Sequence, residues 1–173
     1  SEKSLVGVFL IQDGQFQYVN PRLAEIFGYD QQKIIDDFSP HELIHPDDQD
    51  TIRENIQERL NGTPESEEYQ VKGVTKNGSI IDVNIFGSKT SYRGRPAIVG
   101  TAVDVSKDKE IVRKYRASVE TFQQLFNSIS DAVYIQDQKG TLLEVNQGTV
   151  EMYGYDKSYL LGKTPEVLAA LGK

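Results

Sequence analysis

The feature that most constrains this chain is an internal repeat. Residues 8–30 read VFLIQDGQFQYVNPRLAEIFGYD and residues 133–156 read VYIQDQKGTLLEVNQGTVEMYGYD. Two strands about a tight turn, an Asn, and a short helix ending in Gly-Tyr-Asp therefore occur twice. Asn20 answers to Asn146, Gly28 to Gly154 and Tyr29 to Tyr155, each 126 positions on. Upstream of the Asn the offset falls to 124, which makes the turn at 136–140 two residues longer than Gln12-Asp13-Gly14. A repeat of that length is a duplicated domain, since solenoid units repeat every ~20–50 residues. The expectation is one complete domain and the opening of a second, cut from a longer tandem array.

With 173 residues there is room for one domain of ordinary size and a remainder. Charged residues at 26% and hydrophobic ones at 38% describe a globular chain rather than a disordered one. The net charge of -7, with basic residues scattered, gives no Lys/Arg stripe, so neither nucleic acid nor direct membrane contact is expected. Cysteine is absent, which removes disulfides, thiolate nucleophiles and Cys-ligated metals and is compatible with a cytoplasmic setting. The longest apolar run, at 6–11, is too short to cross a bilayer, so any anchor of a parent protein lies elsewhere.

Along the chain, residues 5–11 and 16–19 read as an antiparallel pair about Asp13-Gly14. Asn20 stands at a helix N-cap with Pro21 at the first helical position, and Gly28 is a left-handed stop. Asp30 can cap a second short helix, and Ser39-Pro40 can open a third turn. His45-Pro46-Asp47-Asp48 starts a longer helix whose Ile52, Ile56 and Leu60 share a face that should cover a sheet. Three more strands follow, at 67–75, 80–88 and 97–105, separated by turns at Asn77-Gly78 and Arg93-Gly94. The order predicts an α+β domain on one five-stranded antiparallel sheet. Residues 107–127 form a polar connecting helix in which Val112, Tyr115, Val119, Phe122, Phe126 and Ile129 alternate steps of three and four, the seam of a short coiled coil. An amphipathic helix lying on its own domain is the alternative. The division is thus a complete domain at 1–106, a rigid connecting helix at 107–127, and the N-terminal part of a second domain at 128–173.

These residues resemble the PAS domain family, sensory modules of bacterial signalling proteins. The resemblance rests on the strand ending in Asp13-Gly14, the Tyr18-Val19-Asn20 helix start, Phe27-Gly28-Tyr29, His45-Pro46-Asp47-Asp48, the Lys76-Asn77-Gly78 turn, and the closing Asp104-Val105-Ser106, which is similar to the Asp-Ile-Thr element preceding a signalling helix. It covers residues 5–106 almost completely and only the opening of the second copy, 128–165. It implies a PAS fold, a five-stranded antiparallel sheet flanked by short helices with a pocket between them. It also implies a parent such as a sensor histidine kinase of a two-component system or a cyclic-dinucleotide enzyme, with an output domain outside this chain.

No catalytic residues emerge. His41 and His45 are four apart, but Pro46 biases residue 45 away from helical geometry, so no shared metal site is expected. Asp47, Asp48 and Asp50 are accounted for by the helix dipole and Asp36-Asp37 by a solvated loop. No phosphate-binding loop follows any strand. Haem would want an axial histidine on the helix from 47 to 60, and a flavin adduct of the light-sensing relatives would want a cysteine, so neither cofactor is expected. What remains is binding and relay. Tyr18, Ile26, Phe27, Leu43, Ile56, Leu60, Val83, Ile85 and Val99 are the candidate pocket residues, with Tyr18 or Asn84 as polar contacts. A packed, empty interior is the alternative. Asp104 and Ser106 join the last strand to the connecting helix and are the candidate transmission residues, with Ser106 as the helix cap. The expected partners are a second copy of the chain through the helical seam, the parent's output domain, and a small-molecule ligand. The second copy lacks the later strands of a sheet, so it is expected either to be poorly ordered or to pair its edge with another chain.

Overall fold

The computed structural model describes residues 5–62 and 66–169. Its chain divides into two compact units, Ser1–Glu110 and Ile111–Lys173. In the first, strands β1 (Gly7–Gln12) and β2 (Gln15–Val19) are followed by helices α1 (Pro21–Phe27) and α2 (Gln31–Asp37). Two single 3-10 turns, Pro40–Leu43 and Pro46–Asp48, lead to α3 (Gln49–Asn61) and then to β3 (Ser66–Val74), β4 (Ile80–Tyr92) and β5 (Arg95–Asp104). The five strands form one antiparallel sheet in the order β2-β1-β5-β4-β3. β4 runs four residues past its expected end because Arg93 (φ 49°) and Gly94 (φ 74°) close the hairpin in a two-residue turn.

Local chemistry explains the first helix. The Asn20 side-chain oxygen accepts from the N–H of Leu23 at 3.0 Å, capping α1, and from the N–H of Val8 on β1 at 2.8 Å. Its amide nitrogen donates to the carbonyl of Val6. One side chain thus ties strand to helix. Gly28 ends α1 at φ 77°, the left-handed geometry that glycine adopts without Cβ strain. Asp30 precedes α2 without a capping hydrogen bond from its side chain, and Asp36 and Asp37 lie in that helix's last turn rather than in a loop. The Pro46–Asp48 turn stays 3-10, and the Asp48 carboxylate accepts from the N–H of Lys72 on β3 instead of capping α3.

The core lies on one face of the sheet. Phe9, Ile11, Ile98, Ala102, Val83, Ile85 and Val71 point into it from the strands, and Leu23, Ile26, Phe27, Ile34, Leu43 and Ile52 close it from the helices. Each fully buried side chain of this size contributes about 1.5–3 kcal/mol relative to exposure. The layers approach closely: a Cβ at Gly100 would stand 2.4 Å from the Phe9 ring.

The second unit comprises most of α4 (Ser106–Ser128), then β6 (Tyr134–Gln136), β7 (Leu142–Val145), α5 (Gln147–Tyr153), α6 (Lys157–Leu160) and α7 (Glu166–Ala169). Here Asn146 repeats the role of Asn20, accepting from the N–H groups of Thr149 and Val133 and donating to the carbonyls of Ile129 and Asp131. Since Val8 and Val133 make the matching bond, the strands correspond at an offset of 125, not the 124 suggested by the shared Ile-Gln-Asp letters. Hydrogen-bond register, rather than letter identity, sets the equivalence. The unit is not poorly ordered: Leu142, Val145, Leu160 and Leu168 form a small core of their own. Leu142 on β7 also exchanges backbone hydrogen bonds with Gly162 and Lys163.

Candidate functional site

Helix α3 crosses the core side of the first unit, and its apolar face decides what space is left there. Ile52 is buried, and Ile56 and Leu60 pack half-buried against the core. Between α3, the β1–β2 turn and the Ser39–His41 segment runs a cleft of about 520 Å³. Its walls are Ile52, Ile56, Leu60 and Pro40, with His41, Arg53, Gln57, Gln15 and Asp13 as polar groups. Ser39 organises this edge: its hydroxyl and backbone N–H both donate to the Glu42 carboxylate, at 2.5 and 2.7 Å, and its oxygen lies 3.2 Å from His41 Nδ1. The two bonds from Ser39 hold the Glu42 carboxyl below the usual carboxylate range, the hydroxyl contributing most. A second cleft, of about 570 Å³, lies between the end of α1 and the β3–β4 turn, lined by Glu25, Ile26, Gly28, Thr75, Lys76, Asn77 and Ser79.

These clefts divide the sequence-derived pocket residues. Ile56 and Leu60 face the first and Ile26 the second. Phe27, Leu43, Val83 and Ile85 are buried in the packed core between them. Tyr18 and Val99 line neither; they are 49% and 41% exposed and sit beside Leu10 on the outer face of the sheet. For Tyr18 the reason is a bulge: the β1–β2 register slips opposite Gln17, so Phe16 and Val19 both turn inward and Tyr18 turns out. Val99 follows the alternation of β5, in which Ile98, Gly100 and Ala102 are buried. Asn84 is also outward, bonded to Gln70 and Glu68.

Arg59 was missed from the sequence. It is 2% exposed, with its guanidinium 4.8 Å from the Tyr69 ring centroid and packed against Gly87. Its position seven residues after Ile52, two helical turns on, was the available signal. His41 and His45 stay on separate segments; His45 is extended (φ -56°, ψ 141°), and its Nδ1 accepts from the N–H of Asp47. Among the described residues no three His, Cys, Asp or Glu side chains gather into a metal-binding group.

The junction of sheet and helix is the most densely bonded part of the site. The Asp104 carboxylate accepts from the N–H of Ser106 at 2.9 Å, so the aspartate serves the first turn of α4 that Ser106 was expected to cap. The Ser106 hydroxyl accepts instead from the N–H of Asp82 on β4 at 2.8 Å. Asp82 also accepts from the N–H of Val105 through its carbonyl and pairs with Lys109 at 2.9 Å through its carboxylate. It is the hub of the junction, and nothing in its local sequence marks it. Farther along α4, in the second unit, Val112, Tyr115, Val119 and Phe122 are exposed, as is Ile129 just past its end, whereas Phe126 is buried and stacked on Phe122. Phe126 therefore does not belong to the exposed seam. Among the described residues no helix is long and apolar enough to cross a membrane.

Comparisons with known proteins point the same way for both units. A PAS fold family model matches residues 16–102, half of the chain, and a PAS domain model matches residues 120–171. The oxygen sensor protein DosP of Escherichia coli (strain K12) is 26% identical over 177 residues, covering 96% of this chain and 21% of that protein. The chain thus spans about a fifth of that relative's length. Among solved structures, a PAS domain from Colwellia psychrerythraea matches with a TM-score of 0.54 at 14% identity, covering 60% of this chain and 89% of the other. A sensory box histidine kinase/response regulator from Burkholderia thailandensis matches at 0.51 and 23% identity, covering 69% and 91%. The N-terminal domain of a diguanylate cyclase with a PAS/PAC sensor from Marinobacter aquaeolei matches at 0.51 and 18%, covering 60% and 98%. At such identities these structures speak for the fold alone. With the sheet order, the repeated Asn junction and both family matches in agreement, the chain belongs to the PAS family, a non-catalytic sensory fold whose five-stranded sheet stands in the first unit and whose family model also matches the second.

Proposed function

We propose that the chain is the input region of a cytoplasmic signalling protein, in which a small molecule or redox cue acts on the first unit and α4 relays the change to an output domain of the parent. The observation that carries this reading is the Asp82–Asp104–Ser106–Lys109 junction, where β4 and β5 meet the first turn of α4 in four hydrogen bonds and ion pairs. A strand displaced by a bound molecule cannot move there without altering the bonds that orient the helix. A relative named as an oxygen sensor supports sensing, and the proteins in which similar folds occur, a histidine kinase and a diguanylate cyclase, suggest two candidate outputs. The cleft beside α3 is the binding site in this reading, with apolar walls and a few polar groups at its edge. α4 pairs with that of a second copy, making the signalling unit a homodimer.

A second reading, a ligand-free dimerising spacer, is favoured by the density of the interior, where Phe9 lies over Gly100 and Phe27 over Gly73. Native mass spectrometry of the chain isolated from cells separates the two. Sensing predicts a stoichiometric non-protein mass that is lost on Ile56→Trp, which fills the cleft. A dimer with no added mass, in both the wild type and the variant, would reject a resident ligand and leave the spacer.

A further inference from the structure

The exposed side of α4 does not keep one heptad to its end. Val112, Tyr115, Val119 and Phe122 step by three, four and three and are all exposed. The next position of that seam is Phe126, whose side chain is only 8% exposed and stacks on Phe122 with ring centroids 5.3 Å apart. Leu125, one residue earlier, is 64% exposed, and Ile129, the first residue past the end of α4, is exposed as well. The apolar stripe open to a partner therefore runs 112, 115, 119, 122, 125, 129, with two successive steps of three in its second half. Such a shortened step locally overwinds a coiled coil and moves its seam around the helix.

We infer that α4 packs against α4 of a second copy of this chain along this shifted seam, with Leu125 taking the place at the interface that the heptad assigns to Phe126. Phe126 is withdrawn from solvent and stacked on Phe122. The occupant follows from the size and pattern of the stripe. Together with exposed Ile111 these side chains offer on the order of 700 Å² per copy, close to the ~800 Å² per partner of a standard interface. That is more than the ~300–600 Å² of the largest apolar patch on a typical monomer. A stripe spaced by threes and fours is also self-complementary, because each copy presents the same knobs and the same holes to the other.

The inference rests on the homodimer reading above, and the experiment keeps the two apart. Sedimentation equilibrium of the whole 173-residue chain is compared with Leu125→Glu, Phe126→Leu, and the double variant Val119→Asp, Phe122→Asp. Leu125 is already exposed, so its glutamate leaves the fold intact by circular dichroism while raising the dimer Kd about tenfold or more. Phe126→Leu keeps the Kd within about threefold and instead speeds amide exchange at Gln147, whose N–H is bonded to Asn127 beside it. A dimer broken by the double variant but indifferent to Leu125→Glu overturns the shifted seam and spares the dimer. A monomeric wild type overturns both.

Discussion

The Glu42 carboxylate is held below its usual pKa first by the hydroxyl and then by the backbone N–H of Ser39. Its folded value is depressed, so the stabilisation is present above the unfolded pKa of ~4.3 and is lost as pH falls through the lower folded value. We expect NMR titration of the Glu42 side chain to give a midpoint below that of an ordinary glutamate. Ser39→Ala should move it up toward the ordinary value, and an unmoved midpoint would reject the Ser39 cause. Legibility at this scale depended on whether a role was local. As cap, first helical residue and stop, Asn20, Pro21 and Gly28 act on neighbours a few residues away, and those roles were readable from the letters. Tyr18 was not, because the bulge that turns it outward is set by the pairing of β1 with β2. Arg59 was hidden by its own chemistry, since a guanidinium is counted as surface until a ring such as that of Tyr69 is seen beside it.

Among the elements, α4 depends on its first turn being fastened to the sheet. Ser106→Ala removes the acceptor of the Asp82 N–H, and we expect a loss of about 1 kcal/mol in the stability of the first unit. Hydrogen exchange should quicken at Asp82 and at the start of α4 while the middle of β5 is unchanged; a uniform change across the sheet would mean that Ser106 has no special place at the junction. The sequence marked Asp104 and Ser106 by their position between strand and helix, yet it inverted their roles, because a helix start within reach of two oxygens does not disclose which one caps it. Asp82 was invisible for a different reason: it lies 22 residues before Asp104 and meets the junction only through β4–β5 pairing. The Phe126 side chain was likewise assigned by periodicity to the seam, although it is buried and stacked on Phe122.

For the whole molecule, two cores of unequal size imply unequal resistance to opening. The first unit buries side chains from five strands and three helices, whereas the second buries Leu142, Val145, Leu160 and Leu168. Native-state hydrogen exchange should therefore show β6 and β7 opening at a lower free energy than β1, β4 and β5, and a chain of residues 1–110 should keep the slow amides of the first unit. Equal protection in both units would contradict this. The sheet order carries a consequence for how such a chain is made. β1 is an interior strand next to the edge, flanked by β2 at once but by β5 only after roughly ninety residues more have left the ribosome, since Gly7 pairs with Ala102 and Ile11 with Ile98. During that wait the hairpin carries a vacant edge, and closing a loop of that length is slow compared with forming the hairpin. In a repeated module β6 later offers a similar edge to the same β5, a decoy that invites swapped pairing between neighbours. The decoy is a short one, three residues against the six of β1, so the nascent β5 has more to gain from the older edge than from the newer.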